Sequence, residues 1–189
     1  MGICNSTATL KEKDKQFIVK HTKFTETEVL EWWDGFLYDC PSGKLKPNLF
    51  IEMFSKFFPS NDAAKFCSNI FRTFDVDGNG FIDFKEFMVA IDVTSAGSPR
   101  EKLMWAFRMY DVDGNGVIDQ DEMTKIVQAI YDMLGAGAVK PTDTAEERAK
   151  NIFNRMDENN DGHLTEEEFL KGCLQDDELS KMLAPNVTT

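Results

Sequence analysis

Three stretches of the chain set oxygen-bearing side chains at one fixed spacing. They are DVDGNGFIDFKE (75–86), DVDGNGVIDQDE (111–122) and DENNDGHLTEEE (157–168). In each, the first, third and fifth positions are Asp or Asn, the sixth is Gly and the twelfth is Glu. That is the donor set of a loop wrapped around a hard divalent cation. Positions 1, 3 and 5 offer side-chain oxygens: Asp75, Asp77 and Asn79; Asp111, Asp113 and Asn115; Asp157, Asn159 and Asp161. Position 7 offers a backbone carbonyl, so its side chain is unconstrained (Phe81, Val117, His163). Position 9 ligates directly or through water (Asp83, Asp119, Thr165). Position 12 closes the shell with both oxygens of a long carboxylate (Glu86, Glu122, Glu168). Gly80, Gly116 and Gly162 supply the sharp turn at position 6, which needs positive φ.

A loop of this kind works only between two helices, and the flanking sequence supplies them. FRTFDVDGNGFIDFKEF (71–87), FRMYDVDGNGVIDQDEM (107–123) and FNRMDENNDGHLTEEEF (153–169) align without gaps, with apolar helical stretches at both ends. Asp/Asn/Gly clusters alone mark surface turns. Three in register, each with its glycine and glutamate and its paired helices, identify EF-hands. Position 8 is apolar each time (Ile82, Ile118, Leu164) and is expected to join two loops through a short β-bridge. Because such hands pair, a fourth is expected upstream. YDCPSGKLKPNLF (38–50) fits with Gly43 at position 6, Leu45 at 8 and Phe50 at 13. Its ligands are lost, with Tyr38 at position 1, Cys40 at 3 and Leu49 at 12, so no ion is expected there.

The expected fold is therefore all-α: four EF-hands in two pairs, the first hand degenerate, each pair bridged by a short two-stranded β-ribbon, in a compact arrangement. Helices are expected at 26–37, 47–57, 62–74, 84–93, 100–110, 120–134, 145–156 and 166–173. A leading helix covers part of 9–21 and a short trailing one 176–183. TSAGSP (94–99) reads as a linker between an N-terminal pair (1–93) and a C-terminal pair (100–189).

Composition narrows the function. The net charge of −12 opposes a general nucleic-acid binder and favours cations. The charge is uneven: five lysines (11, 13, 15, 20, 23) against Glu12 and Asp14 give residues 1–24 a net +3, so the remainder carries −15. Four scattered cysteines (4, 40, 67, 173) form no CxxC pair, which excludes a zinc site of that kind and suits a reducing cytosol. Apolar runs fall short of the roughly 18 residues of a membrane span. No nucleophile–base pair or phosphate-cradling glycine loop lies outside the acidic loops, so an enzyme is not expected.

Two features exceed what metal binding needs. Residues 24–91 crowd large apolar side chains at helical spacing, more than the small core of one pair should hold. An exposed groove for a partner's helix or a lipid is expected from Trp32, Trp33, Phe36, Phe50, Met53, Phe54, Phe57, Phe58, Phe84, Phe87 and Ile91. MGICNS at the start matches M-G-x-x-x-[ST], which places an N-myristoyl group on Gly2. Cys4 is either an unmodified tail cysteine or a second acylation point.

Taken together, the chain resembles the neuronal calcium sensor family, the recoverin, visinin-like and neurocalcin group. The resemblance rests on MGxxxS, the disabled hand around DCPSG, KFFP (56–59), FRTFD (71–75), VTSAG (93–97), KLMWAFRMYDVDGNG (102–116) and EEF (167–169). It implies N-myristoylation at Gly2 and calcium-dependent exposure of the N-terminal groove, while the three intact loops themselves set the expectation of three Ca²⁺ ions, with Mg²⁺ an alternative occupant in the calcium-free state. The partner it implies is a helical segment of a membrane-associated target such as a kinase, receptor or cyclase. The implied place is the cytoplasm, peripheral on the inner face of a membrane. Fewer hands are used in recoverin-like members, whereas the fourth loop here is intact; WWDGF (32–36) and the tail LAPNVTT also depart from the family pattern. Two other readings compete: a calcium buffer, which needs only the metal sites, and a calcium-binding regulatory subunit of an enzyme such as a phosphatase.

Overall fold

Local chemistry fixes where each helix begins. The helices are α1 (Glu12–His21), α2 (Glu26–Asp39), α3 (Pro47–Ser55), α4 (Ala63–Phe74), α5 (Phe84–Ala96), α6 (Pro99–Tyr110), α7 (Gln120–Leu134), α8 (Ala145–Met156) and α9 (Glu166–Gln175). Thr25, Ser98 and Thr144 cap α2, α6 and α8, each accepting from the backbone three residues on. In each case the glutamate at that third position reaches back to the cap's own N–H, a reciprocal pair that satisfies two otherwise orphaned donors. The computed structural model describes residues 9–55, 63–134, 143–176, 180 and 183. Gly2, Cys4, Phe57 and Phe58 lie outside the described residues.

The loops pair as their position-8 residues require. β1 (Val117–Asp119) and β2 (His163–Thr165) run antiparallel, with Ile118 opposite Leu164. In the N-terminal pair the expected ribbon shrinks to a single bridge, Leu45 with Ile82, whose two backbone hydrogen bonds measure 3.0 and 2.8 Å. All four position-8 side chains are buried. Each pair of loops is thus clamped across its centre by apolar burial and backbone pairing together.

The expected linker at 94–99 is mostly helix. α5 continues through Thr94, Ser95 and Ala96, where the Thr94 and Ser95 hydroxyls find acceptors in the Ala90 and Ile91 carbonyls one turn back. Only Gly97 and Ser98 separate α5 from α6, and Pro99 starts the next helix at a position that needs no N–H donor. The two halves touch directly: α4 packs on α6 and α7. The Arg72 guanidinium on α4 also donates to the Arg108 and Met109 carbonyls that end α6 (2.9 and 3.4 Å). α1 lies against α2 and α5, burying Ile18 completely. Ser180 and Leu183, within the expected trailing helix, are helical and buried. The buried Tyr110 hydroxyl donates to the Leu183 carbonyl at 3.3 Å.

Candidate metal centres

The three acidic loops close by one repeated set of hydrogen bonds. The position-1 carboxylate accepts backbone N–H from positions 5 and 6: Asp75 from Asn79 and Gly80 (3.0 and 2.9 Å), Asp111 from Asn115 and Gly116 (3.1 and 3.0 Å), Asp157 from Asp161 and Gly162 (3.3 and 3.0 Å). Position 3 accepts from position 5, and position 5 from position 7. Side-chain oxygens of Asp75, Asp77 and Asn79, and of their counterparts, are thereby turned toward the loop centre.

The twelfth residue crosses that centre. One oxygen of Glu86 accepts from Val76 and Asp77 N–H (2.9 and 3.3 Å), the other from Asp83 N–H (3.0 Å). Glu122 does the same with Val112, Asp113 and Asp119 (2.9, 3.1 and 3.0 Å). Glu168 accepts from Glu158 (3.3 Å) and Thr165 (3.0 Å). Carboxylate oxygens of Asp75, Asp77 and Glu86 lie within 4.8 Å of one another, and so do those of Asp111, Asp113 and Glu122. A set of hard oxygens converging at that separation fits a calcium ion and no soft metal. Burial pushes the Glu86 carboxyl above its ordinary range, and the nearby Asp83 and Asp77 charges push the same way. The His163 N–H and the Asn159 side chain hold Asp161 below its own.

Two features of the loops go beyond the ligand pattern. Position 9 doubles as the N-cap of the exit helix: Asp83, Asp119 and Thr165 accept from the N–H of Glu86, Glu122 and Glu168 (3.0, 2.7 and 3.3 Å). The signal is present in the sequence as [DT]-x-x-E, a capping box that shares both residues with the metal shell. Position 4 is also left-handed, with φ of 67° at Gly78, 73° at Gly114 and 58° at Asn160. The Gly-Gly-Asn series at that position could have revealed it.

The first hand keeps the scaffold alone. Gly43 has φ 67° and Leu45 pairs as expected. α2 runs through Tyr38 to Asp39, whereas the other three entering helices stop just before position 1. Tyr38 is 85% exposed and Cys40 is buried, so neither offers an oxygen to a central ion.

The residues of the expected aromatic groove are packed to different depths. Phe36, Phe50 and Phe84 are buried core. Phe36 packs at a tilt against Phe84 and Phe87 (5.4 and 5.2 Å between centroids), and Phe50 packs against Phe54, Phe71 and Phe74. The stripes on α2 and α5 meet each other and consume their own surface. Trp33, Met53, Phe54 and Phe87 are partly buried against this core, and Ile91 is half-buried. Trp32 remains 39% exposed at its edge, beside Phe24 and Phe87. Cys40, Cys67 and Cys173 are free and buried, as packing residues should be; burial pushes the Cys173 thiol up to about 12.

Among the described residues, no helix is long and apolar enough to cross a membrane. The family model for an EF-hand domain pair matches residues 100–174, and that for a single EF hand domain matches 66–93. The chain is 47% identical over 169 residues to neuronal calcium sensor 1 of Lymnaea stagnalis, covering 88% of each. It is 40% identical over 167 residues to human recoverin (86% of this chain, 84% of the relative) and 39% identical to S-modulin of Aquarana catesbeiana (86% and 83%).

Proposed function

The chain belongs to the neuronal calcium sensor family, and on that premise we propose that it is a calcium sensor acting at the cytoplasmic face of a membrane. Its second, third and fourth hands each take one ion, and its first takes none. A bound calcium ion supplies positive charge at the centre of each loop. The residues translate that charge into motion through position 12. Glu86, Glu122 and Glu168 each sit in the first turn of an exit helix, so drawing the carboxylate inward draws the helix with it. In loop 2 that helix is α5, which carries Phe84 and Phe87 against the α2 aromatics. Separation of α5 from α2 would expose those rings beside the already accessible Trp32. The uncovered surface would receive a helix of a membrane-associated target such as a kinase, receptor or cyclase.

The observation that carries this reading is the pair of converging carboxylate triads whose third member belongs to an exit helix. A buffer needs the triads but not an aromatic seam hinged on them. Loop 4 swaps the position-3 and position-5 residues (Asn159, Asp161) and has Thr165 in place of the position-9 aspartate, so it carries one carboxylate fewer than loops 2 and 3 and is read as the weakest site. Myristate on Gly2 is the anchor. One such chain holds only marginally, so the lysines of residues 11–23 supply the second signal toward anionic lipid. The test is sedimentation of myristoylated protein with anionic vesicles in calcium and in chelator. Binding should be greater in calcium and absent in Gly2→Ala. Equal binding in both conditions would remove the switch; binding by Gly2→Ala would remove the anchor.

A further inference from the structure

One buried carboxylate takes no part in any calcium loop. Asp92 lies on α5, 8% exposed, six residues beyond Glu86 and therefore on another face of the helix. Its Oδ1 accepts the backbone N–H of Lys23 at 2.9 Å. Lys23 belongs to the short turn between Thr22, the C-cap of α1, and Thr25, the N-cap of α2. The Lys23 ammonium also donates to the carbonyl of Ala96, the last residue of α5, where a cation complements the helix dipole. At the other end of α5, Lys85 stands 3.7 Å from Asp14 on α1 and 3.6 Å from the loop residue Asp83. Ile18, between these two ties, is fully buried. Ion pairs as exposed as Lys85–Asp14 hold little. The backbone hydrogen bond accepted by the buried Asp92 side chain is the strong member of the set.

We propose that Asp92 is a positioning residue that straps the α1–α2 turn to α5, so that α1 travels with α5 when the second hand responds to calcium. The strap rests on the sensor reading above and adds the route by which loop 2 moves the N-terminal helix. Glu86 pulls one end of α5; Asp92 and Ala96 hold Lys23 at the other. α2, which packs on α1 and shares with it the Lys15–Glu26 ion pair but has no part in the Asp92 bond, stays behind.

The test places spin labels on unnatural side chains at the exposed positions Gln16 (α1), Asp34 (α2) and Ser95 (α5) of the full-length chain. Distances are read with calcium and with chelator. In wild type the 34–95 and 16–34 distances should change with calcium while 16–95 stays fixed. Asp92→Ala should abolish the fixed 16–95 distance and the calcium response of 16–34, with the 34–95 response kept. Asp92→Asn retains an oxygen acceptor for the Lys23 N–H and should behave as wild type. Lys23→Pro removes the donor instead and should reproduce Asp92→Ala, which keeps the test open if the alanine variant does not fold. A 34–95 distance indifferent to calcium would defeat the proposed opening of the second hand. The strap would still be judged on whether 16–95 loses its fixed value in Asp92→Ala. A 16–95 distance as sharp in Asp92→Ala and Lys23→Pro as in wild type overturns the strap, and so does a wild-type α1 that keeps its distance to α2 and leaves α5.

Discussion

Gly116→Ala isolates the conformational demand of the third loop from every other effect. Gly116 has φ of 89°, and its N–H donates to Asp111 at 3.0 Å. A methyl group built there meets no atom within 4 Å. No clash arises, so the cost is the backbone's own: about 1–2 kcal/mol for an L-residue in the left-handed region. For a chain of this size that is a fall in Tm of roughly 2–8 °C, at 2–4 °C per kcal/mol. Where calcium binding demands the same turn and the free loop can relax, the cost enters the affinity, as roughly a 5- to 30-fold weakening at one site. Thermal unfolding by circular dichroism and a calcium titration read the two quantities. Gly114→Asn is the control. Gly114 has φ of 73°, and Asn160 already occupies the equivalent place in the fourth loop at 58°, so this change should be nearly silent. Equal damage from both substitutions, or none from Gly116→Ala, would refute the backbone argument.

Leu45→Ala should cost about 2–5 kcal/mol in urea unfolding and also weaken the second calcium site, because buried Leu45 holds Ile82 of that loop although its own loop binds nothing. Phe36→Ala should destabilise by about 3–5 kcal/mol, whereas the more exposed Trp32→Ala should cost less. Trp32→Ala should instead weaken calcium-dependent capture of a target helix with calcium stoichiometry unchanged. Arg148 holds the Asp143 carboxyl below its ordinary range and also donates to Tyr131 (3.2 Å), tying α7 to α8. A depressed carboxylate stabilises above the unfolded value of about 3.9 and loses that contribution as pH falls through the folded one. Asp143→Asn should therefore be less stable than wild type at neutral pH, and the two should converge in acid.

The loops and helices were legible because each rests on local rules. The D-x-[DN]-x-[DN]-G-x5-E register names the candidate ligands and marks where each loop turns. The periodic apolar stripes placed α6 and α8 within a residue of their observed ends, which Ser98 and Thr144 cap. What was not legible depends on neighbours. TSAG reads as a break by composition, yet Thr94, Ser95 and Ala96 stay in α5, with the two hydroxyls bonded back to their own helix. The phenylalanines of α2 and α5 read as a surplus until the two helices are placed side by side, where Phe36, Phe84 and Phe87 absorb one another. Asp92 carries no motif at all. Its partner lies 69 residues away along the chain, and only the fold brings them together.

The central claim, that calcium opens this chain and does not merely fill it, is tested most directly by titrating calcium into the full-length protein with an apolar dye present, since such a dye reports newly exposed apolar surface. The account predicts dye emission that rises with calcium and reaches its plateau when all three loops centred on Asp75, Asp111 and Asp157 are filled. Emission that stays flat while calcium binds would contradict it and leave a buffer.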